Sequence, residues 1–313
     1  MKDYSILLYY CYSTIDDPEA FREQHHFYCL DLDLRGRIII AREGINGTVS
    51  GRRADCQQYM DHMSNDPRFN HIEFKVEPFD QHVFQKLNVR VKSEIVNVGL
   101  PHINPNKQTG AYVEPHDFVK MKDDEDVVLL DVRSNYEHNL GKFKNARTLD
   151  LENFRDFPDK LQELQELKDK KIVTYCTGGI KCEKASAFLL ENGFENVYQL
   201  HGGIIKYGIE TGGADFEGKC YVFDNRIAAE VNKVNPTVVS KCYICTQPSD
   251  RMVNCANPTC NLHVAICEGC AQQYQGACSE ECQDHPQKRP LNDTGYYQKE
   301  LNGYNPYRGI KRK

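Results

Sequence analysis

The amino-acid sequence predicts a protein of several domains and of mixed α/β and α+β class: an N-terminal βαββαβ unit, a central doubly wound parallel sheet, and a small cysteine-rich C-terminal segment. Three observations carry this. Residues 1–98 alternate strand-like and helix-like patterns, residues 112–215 contain short β-branched runs separated by helical stretches, and eight of the 14 cysteines fall between Cys242 and Cys282. A chain of 313 residues also exceeds what one small core organises.

The first unit reads as strand 5–12, helix 18–30, strand 35–41, strand 44–50, helix 53–64 and strand 72–78. Asp16 and Asp17 ahead of Pro18 suit an N-cap followed by proline at the first helical position. This order is that of a ferredoxin-like (acylphosphatase-like) domain. Between its central strands, Gly44 and the pair Asn46-Gly47 tolerate positive φ and suit a tight hairpin, although the same loop could carry Arg42, Glu43 and Asn46 to a ligand. A basic strand at 86–92 follows, with Asn88, Arg90 and Lys92 on one face. Residues 99–111, with Pro101, Pro105 and Gly110, are dense in turn signals and mark a linker.

In 112–215 the largely apolar, β-branched runs at 127–132 and 171–176 have the character of buried parallel strands. Helices are expected at 161–170 and 182–192, the second ending at Gly193. Ligands of doubly wound sheets sit beyond the carboxyl ends of the strands. Cys176 falls at such an end. Residues 216–286 form the cysteine-rich segment and 287–313 a basic tail interleaved with Tyr296, Tyr297, Tyr304 and Tyr307, which reads either as a solvated end or as an RNA-binding arm.

Composition narrows the function. A formal net charge of −6 argues against wholesale coating of nucleic acid, so any RNA contact is local. No apolar run approaches the roughly 20 residues that span a bilayer, and the start of the chain lacks a signal h-region, so no membrane association and a cytoplasmic location are expected. Without a secretory signal, the cysteines point to thiol chemistry and metal ligation in preference to disulfides.

The loop Cys176-Thr177-Gly178-Gly179-Ile180-Lys181 carries the sharpest chemical signal. Glycines 178 and 179 let backbone N–H groups turn toward the sulfur, the helix beginning near Cys182 adds the positive end of its dipole, and Lys181 adds a charge at the rim. All three favour a thiolate and would stabilise a persulfide. Cys182 is close enough in sequence to resolve an oxidised Cys176 or simply to pack at the helix start. Arg133 and Glu137, four apart, suit an ion pair, and His201 follows a strand near the same sheet edge, so Arg133 and His201 join Arg42, Glu43, Asn46, Arg90 and Lys92 as candidate substrate contacts.

Asp131-Val132-Arg133, Gly141 to Ala146, the Cys176 loop and Leu200-His201-Gly202-Gly203-Ile204 together resemble the rhodanese domain, whose six-residue loop accommodates sulfur. With the run from Ala41 to Gly51, the run from Arg90 to Val96, and Cys220 to Arg226, the chain through Cys282 is similar to the tRNA uridine hydroxylase family. That resemblance implies a tRNA-modifying oxidoreductase: oxygen-dependent hydroxylation of the wobble uridine to 5-hydroxyuridine, with molecular oxygen as co-substrate, the tRNA anticodon region as partner, and a requirement for Cys176. The family carries arginine at the place of Lys181 and asparagine at that of Ser134. The loop alone also fits a rhodanese-type sulfurtransferase using a Cys176 persulfide. No nicotinamide or flavin fingerprint is present in the sequence.

The remaining motif is four cysteine pairs: Cys242 and Cys245, Cys255 and Cys260, Cys267 and Cys270, Cys278 and Cys282. Thiolates two to four residues apart can share one tetrahedral ion, and a segment poor in apolar residues needs such a staple. Two structural zinc ions are expected, with His263 and His285 as substitutes; Fe–S ligation and a metal-free cluster are the alternatives. The spacing leaves open which pairs combine.

Overall fold

The computed structural model describes residues 2–291, so the basic tail lies mostly outside the described residues. It forms two compact units, the first comprising Met1–Asn135, Asn145–Gly213 and Val222–Arg226, the second Tyr136–Lys144, Ala214–Tyr221 and residues from Ile227 on.

The first unit contains two sheets. The N-terminal one is built from β1 (Tyr4–Tyr12), β2 (Arg35–Ala41), β3 (Gly44–Arg52), β4 (Glu73–Phe79) and β5 (Leu87–Val91), in the order β4-β1-β3-β2-β5. The first four are antiparallel, and the basic strand β5 adds to the edge of β2 in parallel. Helices α1 (Pro18–Asp31) and α2 (Arg53–Asn65) provide the crossovers, and Asp17 caps α1 by accepting the Ala20 N–H at 3.0 Å. The period of two along β1 divides its side chains. Leu7, Tyr9 and Cys11 enter a core with Cys29, Val49 and Tyr59. The alternate residues Tyr10 and Tyr12 meet Ile180, the first residue of the helix that follows the cysteine loop.

The hairpin between β2 and β3 differs from expectation. Ala41 pairs with Gly44, so the turn is Arg42-Glu43, while Asn46 and Gly47 lie inside β3. Gly47 sits opposite Tyr9, whose phenol occupies the space a side chain there would need.

The second sheet is all parallel, in the order Ala111–Val113, Val197–Leu200, Lys171–Tyr175, Val127–Asp131, Arg147–Thr148. The helix expected at 161–170 is α-helical only over Leu161–Leu164, flanked by 3-10 turns at Phe154–Lys160 and Gln165–Leu167. Pro158 has no N–H to donate, which favours short turns there. Residues 99–111, read as a linker, instead pack: Ile103 joins the core of this sheet, and the Gly110 N–H bonds Ser186 Oγ at 2.8 Å.

The helix Ile180–Glu191 is buried through the run from Cys182 to Leu189. Its polar members therefore need partners. Lys184 places its ammonium 2.9 Å from Glu43 and 2.6 Å from Glu94. Glu183 accepts from Tyr10 and Tyr112, each at 2.8 Å, from Thr109 at 2.9 Å and from Gln199 at 3.1 Å. Because Tyr10 and Glu43 belong to the N-terminal sheet, these bonds fasten that sheet to the helix beginning at the cysteine loop.

In the second unit, Gly141–Phe143 pairs antiparallel with Phe216–Gly218, Phe143 and Phe216 meeting edge to face. A hairpin of Met252–Asn254 with His263–Ala265 and the short helices Glu268–Gln273 and Glu280–Gln283 carry the cysteine clusters. Among the described residues no helix is long and apolar enough to cross a membrane.

Candidate active site

Cys176 is the first residue beyond the strand Lys171–Tyr175, and the chain turns at Gly179, where φ is +100°, before the helix starts at Ile180. A side chain at 179 would be strained by that φ and would also press on the Tyr10 hydroxyl. Behind the loop, Ile204 N–H donates to the Cys176 carbonyl at 3.0 Å and Ile205 N–H to that of Thr177 at 3.1 Å. Gly203, at φ +66°, makes this approach feasible, since a Cβ there would lie 2.5 Å from the Cys176 carbonyl oxygen. The motif from Leu200 to Ile204 is thus the wall on which the loop is built.

Cys176 is 1% exposed. Burial by itself would push its thiol up, but the Cys182 thiol donates to it, Lys181 is nearby, and the N–H groups of Lys181 and Gly179 point at the sulfur, so the net result is a pKa lowered to about 6. The Gly179 N–H lies 3.2 Å from Sγ. Cys182 behaves oppositely: burial, then its bond to Cys176, hold its proton well above the ordinary range. The pair is a thiolate with a thiol donor, which adds a definite chemical task to the position expected either to resolve or to pack. The Lys181 ammonium lies 5.9 Å from the Phe154 ring and 5.8 Å from that of Phe223.

The other expected contacts separate into groups. Arg133 is fully buried and bound through Nε and Nη2 to Asp131 at 2.9 and 2.6 Å. The guanidinium is thus turned inward, where it fixes the turn after its strand. Glu43 accepts from the Ile95 N–H at 2.7 Å as well as from Lys184, and Asn46 donates to the Ile95 carbonyl at 3.0 Å. Both hold the chain after β5 in place and leave a ligand little to bind. Arg42, Arg90 and Lys92 are exposed; Arg42 and Lys92 flank one depression with Asp16, Asp17 and Glu19. Arg90 Nε bonds Asn88 at 2.9 Å, in keeping with their shared face.

His201 stands in the wall of a cavity of about 160 Å³ formed by Tyr10, Tyr12, Glu73, Lys75, Tyr112 and Glu183 among others. Its Nε2 lies 3.0 Å from Glu73, its Nδ1 faces Glu114, and its ring lies against Tyr112. The bond to Glu73 and then that to Glu114 raise its pKa against the cost of burial. Sequence reading missed Lys75 and Glu183. A charged pair such as Glu183-Lys184 within an otherwise buried helical run was the available signal for the second.

In the second unit the cysteines combine alternately. Cys242, Cys245, Cys267 and Cys270 form one set and Cys255, Cys260, Cys278 and Cys282 the other, each with all four sulfurs within 4.8 Å of one another. Separations of 3.6 Å for Cys245–Cys267, 3.7 Å for Cys260–Cys278 and 3.8 Å for Cys278–Cys282 match the edge of about 3.8 Å that a tetrahedron with metal–sulfur bonds of roughly 2.3 Å requires. Backbone N–H groups of Cys267 and Cys278 donate to Cys242 and Cys255 at 3.3 and 3.4 Å, as thiolate ligands ask of their surroundings. Both sets could hold a metal. The histidines named as substitutes are outside them: His263 bonds Asn254 and lies against Tyr136 and Tyr221, and His285 meets Thr259.

A buried, activated cysteine in a glycine-bearing loop at the end of a parallel strand, fastened to a ferredoxin-like sheet, defines a rhodanese-type protein with an accessory domain. Family comparisons agree along the chain: residues 4–95 match the UPF0176 acylphosphatase like domain, 114–210 the rhodanese-like domain, and 217–283 the rhodanase C-terminal family. Among curated relatives, the tRNA uridine(34) hydroxylase of Cytophaga hutchinsonii is 66% identical over 312 residues, covering 100% of both chains. Those of Listeria welshimeri and Bacillus mycoides are each 48% identical, covering 91% and 92% of both chains respectively. The chain belongs to the tRNA uridine(34) hydroxylase family.

Proposed function

We propose that this protein hydroxylates the wobble uridine of tRNA at C5, giving 5-hydroxyuridine, with the Cys176 thiolate or its persulfide as the reactive sulfur and molecular oxygen as co-substrate. The observation that carries the reading is the joint one: a full-length match to hydroxylases and a buried cysteine whose pKa is lowered to about 6. Gly179, Lys181 and Cys182 keep the sulfur anionic; Gly178 and Ile180 set the loop against the N-terminal sheet, and Thr177 ties it to Ile205. Arg42, Arg90 and Lys92 are the exposed cations suited to phosphates of the anticodon arm. Base chemistry at a buried sulfur requires the wobble nucleotide to leave its stack and enter the cavity beside the loop.

The two cysteine sets are proposed as structural zinc sites. Four protein thiolates leave no open position on a tetrahedral ion, so zinc would supply folding energy and no catalytic step. A cytoplasmic location follows from the proposed substrate.

The test is nucleoside mass spectrometry of tRNA from cells with the gene, without it, and with Cys176→Ser. Loss of 5-hydroxyuridine and its derivatives in the last two supports the reading, and equal levels in all three defeat it. The Gly179 N–H at 3.2 Å from Sγ would equally steady a persulfide, which keeps sulfur transfer as a second reading; thiosulfate-to-cyanide turnover abolished by Cys176→Ser, with tRNA unmodified, would favour it.

A further inference from the structure

The cavity beside the cysteine loop contains a buried cation with too little to bind. The Lys75 side chain on β4 is 4% exposed, and among the described residues its one ionic neighbour is Glu73 Oε2 at 3.8 Å, beyond hydrogen-bond reach. That carboxylate is already engaged, by His201 Nε2 at 3.0 Å and Lys206 Nζ at 2.9 Å. The ammonium otherwise rests 4.9 Å from the centre of the Tyr10 ring. A cation opening onto a small cavity and largely withdrawn from bulk water gains from a paired, hydrogen-bonded acceptor, and burial accordingly lowers the Lys75 pKa, with Glu73 opposing. The acceptor this ammonium lacks belongs in the cavity that it lines.

Charge selects the kind of acceptor. Glu73 and Glu183 line the same cavity, so a phosphate would meet two carboxylates. A neutral ring with a carbonyl for the ammonium and an adjacent N–H fits both signs, and the half-exposed Tyr112, with His201 4.8 Å from it, offers an aromatic face. Uracil has this pattern, the O4 acceptor standing beside the N3 donor. Its C4 is also bonded to C5, the carbon to be hydroxylated. Tyr10, whose ring centre lies 4.9 Å from the Lys75 ammonium, also sets its hydroxyl against Gly179 of the cysteine loop, which puts the carbonyl next to C5 on the loop side of the cavity.

We propose that Lys75 hydrogen-bonds O4 of the wobble uracil and is the contact that selects uridine over cytidine, whose amino group at that place would face an ammonium. This rests on the proposed reading of the reaction. The test is equilibrium binding, without oxygen, of anticodon stem-loops carrying uridine or 4-thiouridine, which keeps N3–H but puts a weakly accepting sulfur in place of O4, at the wobble position. Wild type should bind the uridine form up to roughly tenfold more tightly, since the sulfur keeps only part of a hydrogen bond to a charged group. Lys75→Met should bind both forms alike, and Lys75→Arg should keep part of the preference. Equal binding of the two forms by wild type overturns the proposal whether or not Lys75→Met folds, and so does a Lys75→Met protein with the preference intact. Hydroxylation of full tRNA by wild type, read by mass spectrometry, keeps the two ideas apart. Turnover without the O4 preference defeats the Lys75 contact alone; an O4 preference without turnover defeats the hydroxylase reading while the contact stands.

Discussion

Replacing Cys182 by alanine tests how the active sulfur is kept charged. In the folded protein the Cys182 thiol donates to Cys176, and among the influences that lower the Cys176 pKa to about 6 this bond is the largest, against burial, which raises it. A hydrogen bond to a charged group contributes about 1.5–3 kcal/mol, and about 1.4 kcal/mol shifts a titration by one pH unit. The midpoint in Cys182→Ala is therefore expected near 7 to 8 where wild type titrates at about 6. Cys182→Ser, which retains a donor, should fall between them. The difference in thiolate ultraviolet absorbance between each protein and its Cys176→Ser counterpart isolates this one titration from the other cysteines. If Cys182→Ala still titrates with wild type, the thiol donor is not what holds the charge; if wild type itself titrates near 8.5, the ordinary value for cysteine, the account of the loop fails as a whole.

The same titration sets the pH dependence of activity. Cys176 is protonated below its lowered pKa, so turnover should rise as pH passes upward through about 6, and a rate independent of pH across that region would remove the thiolate from the mechanism. Lys184→Met leaves the half-buried carboxylates of Glu43 and Glu94 together without their cation; losing hydrogen bonds between charged groups costs about 1.5–3 kcal/mol, a fall in Tm of roughly 3–12 °C, and a shift within error of zero would mark the triad as dispensable. Cys245→Ser and Cys260→Ser should each remove one metal of two per chain, measured by elemental analysis, whereas a wild-type protein with less than one metal under reducing conditions without chelator would exclude the paired sites. Neutralising Arg90 or Lys92 should lower the salt dependence of tRNA binding by about one unit of slope each; an unchanged slope would place the phosphates elsewhere.

Much of this was legible in the sequence for physical reasons. The period of two in 5–12, the Asp17-Pro18 helix start and the β-branched run before Cys176 are local signals, and each element appears within a residue or two of its expected bounds. The cysteine loop was legible because glycine, helix start and thiol are neighbours in sequence. Lys75, Glu183 and the pairing of the cysteines were not. Each depends on residues brought together from distant segments: Glu183 gains Tyr10 across 173 positions, and nothing around Lys75 distinguishes it from a solvated strand lysine. The burial of Arg133 was hidden for a related reason, since it is its carboxylate partner two residues back that draws the guanidinium inward.

The alternate pairing of the cysteines has a consequence for synthesis. As the chain emerges from its N-terminal side, Cys242, Cys245, Cys255 and Cys260 are all available before either final set can be completed. Four thiols are then at hand in a combination the finished protein does not use. The first set closes only when Cys270 arrives and the second only at Cys282, and the loop between the halves of each holds a pair belonging to the other. An ion captured early by those four thiols would therefore have to exchange partners, and cutting the chain between Cys260 and Cys267 would open both sets at one stroke.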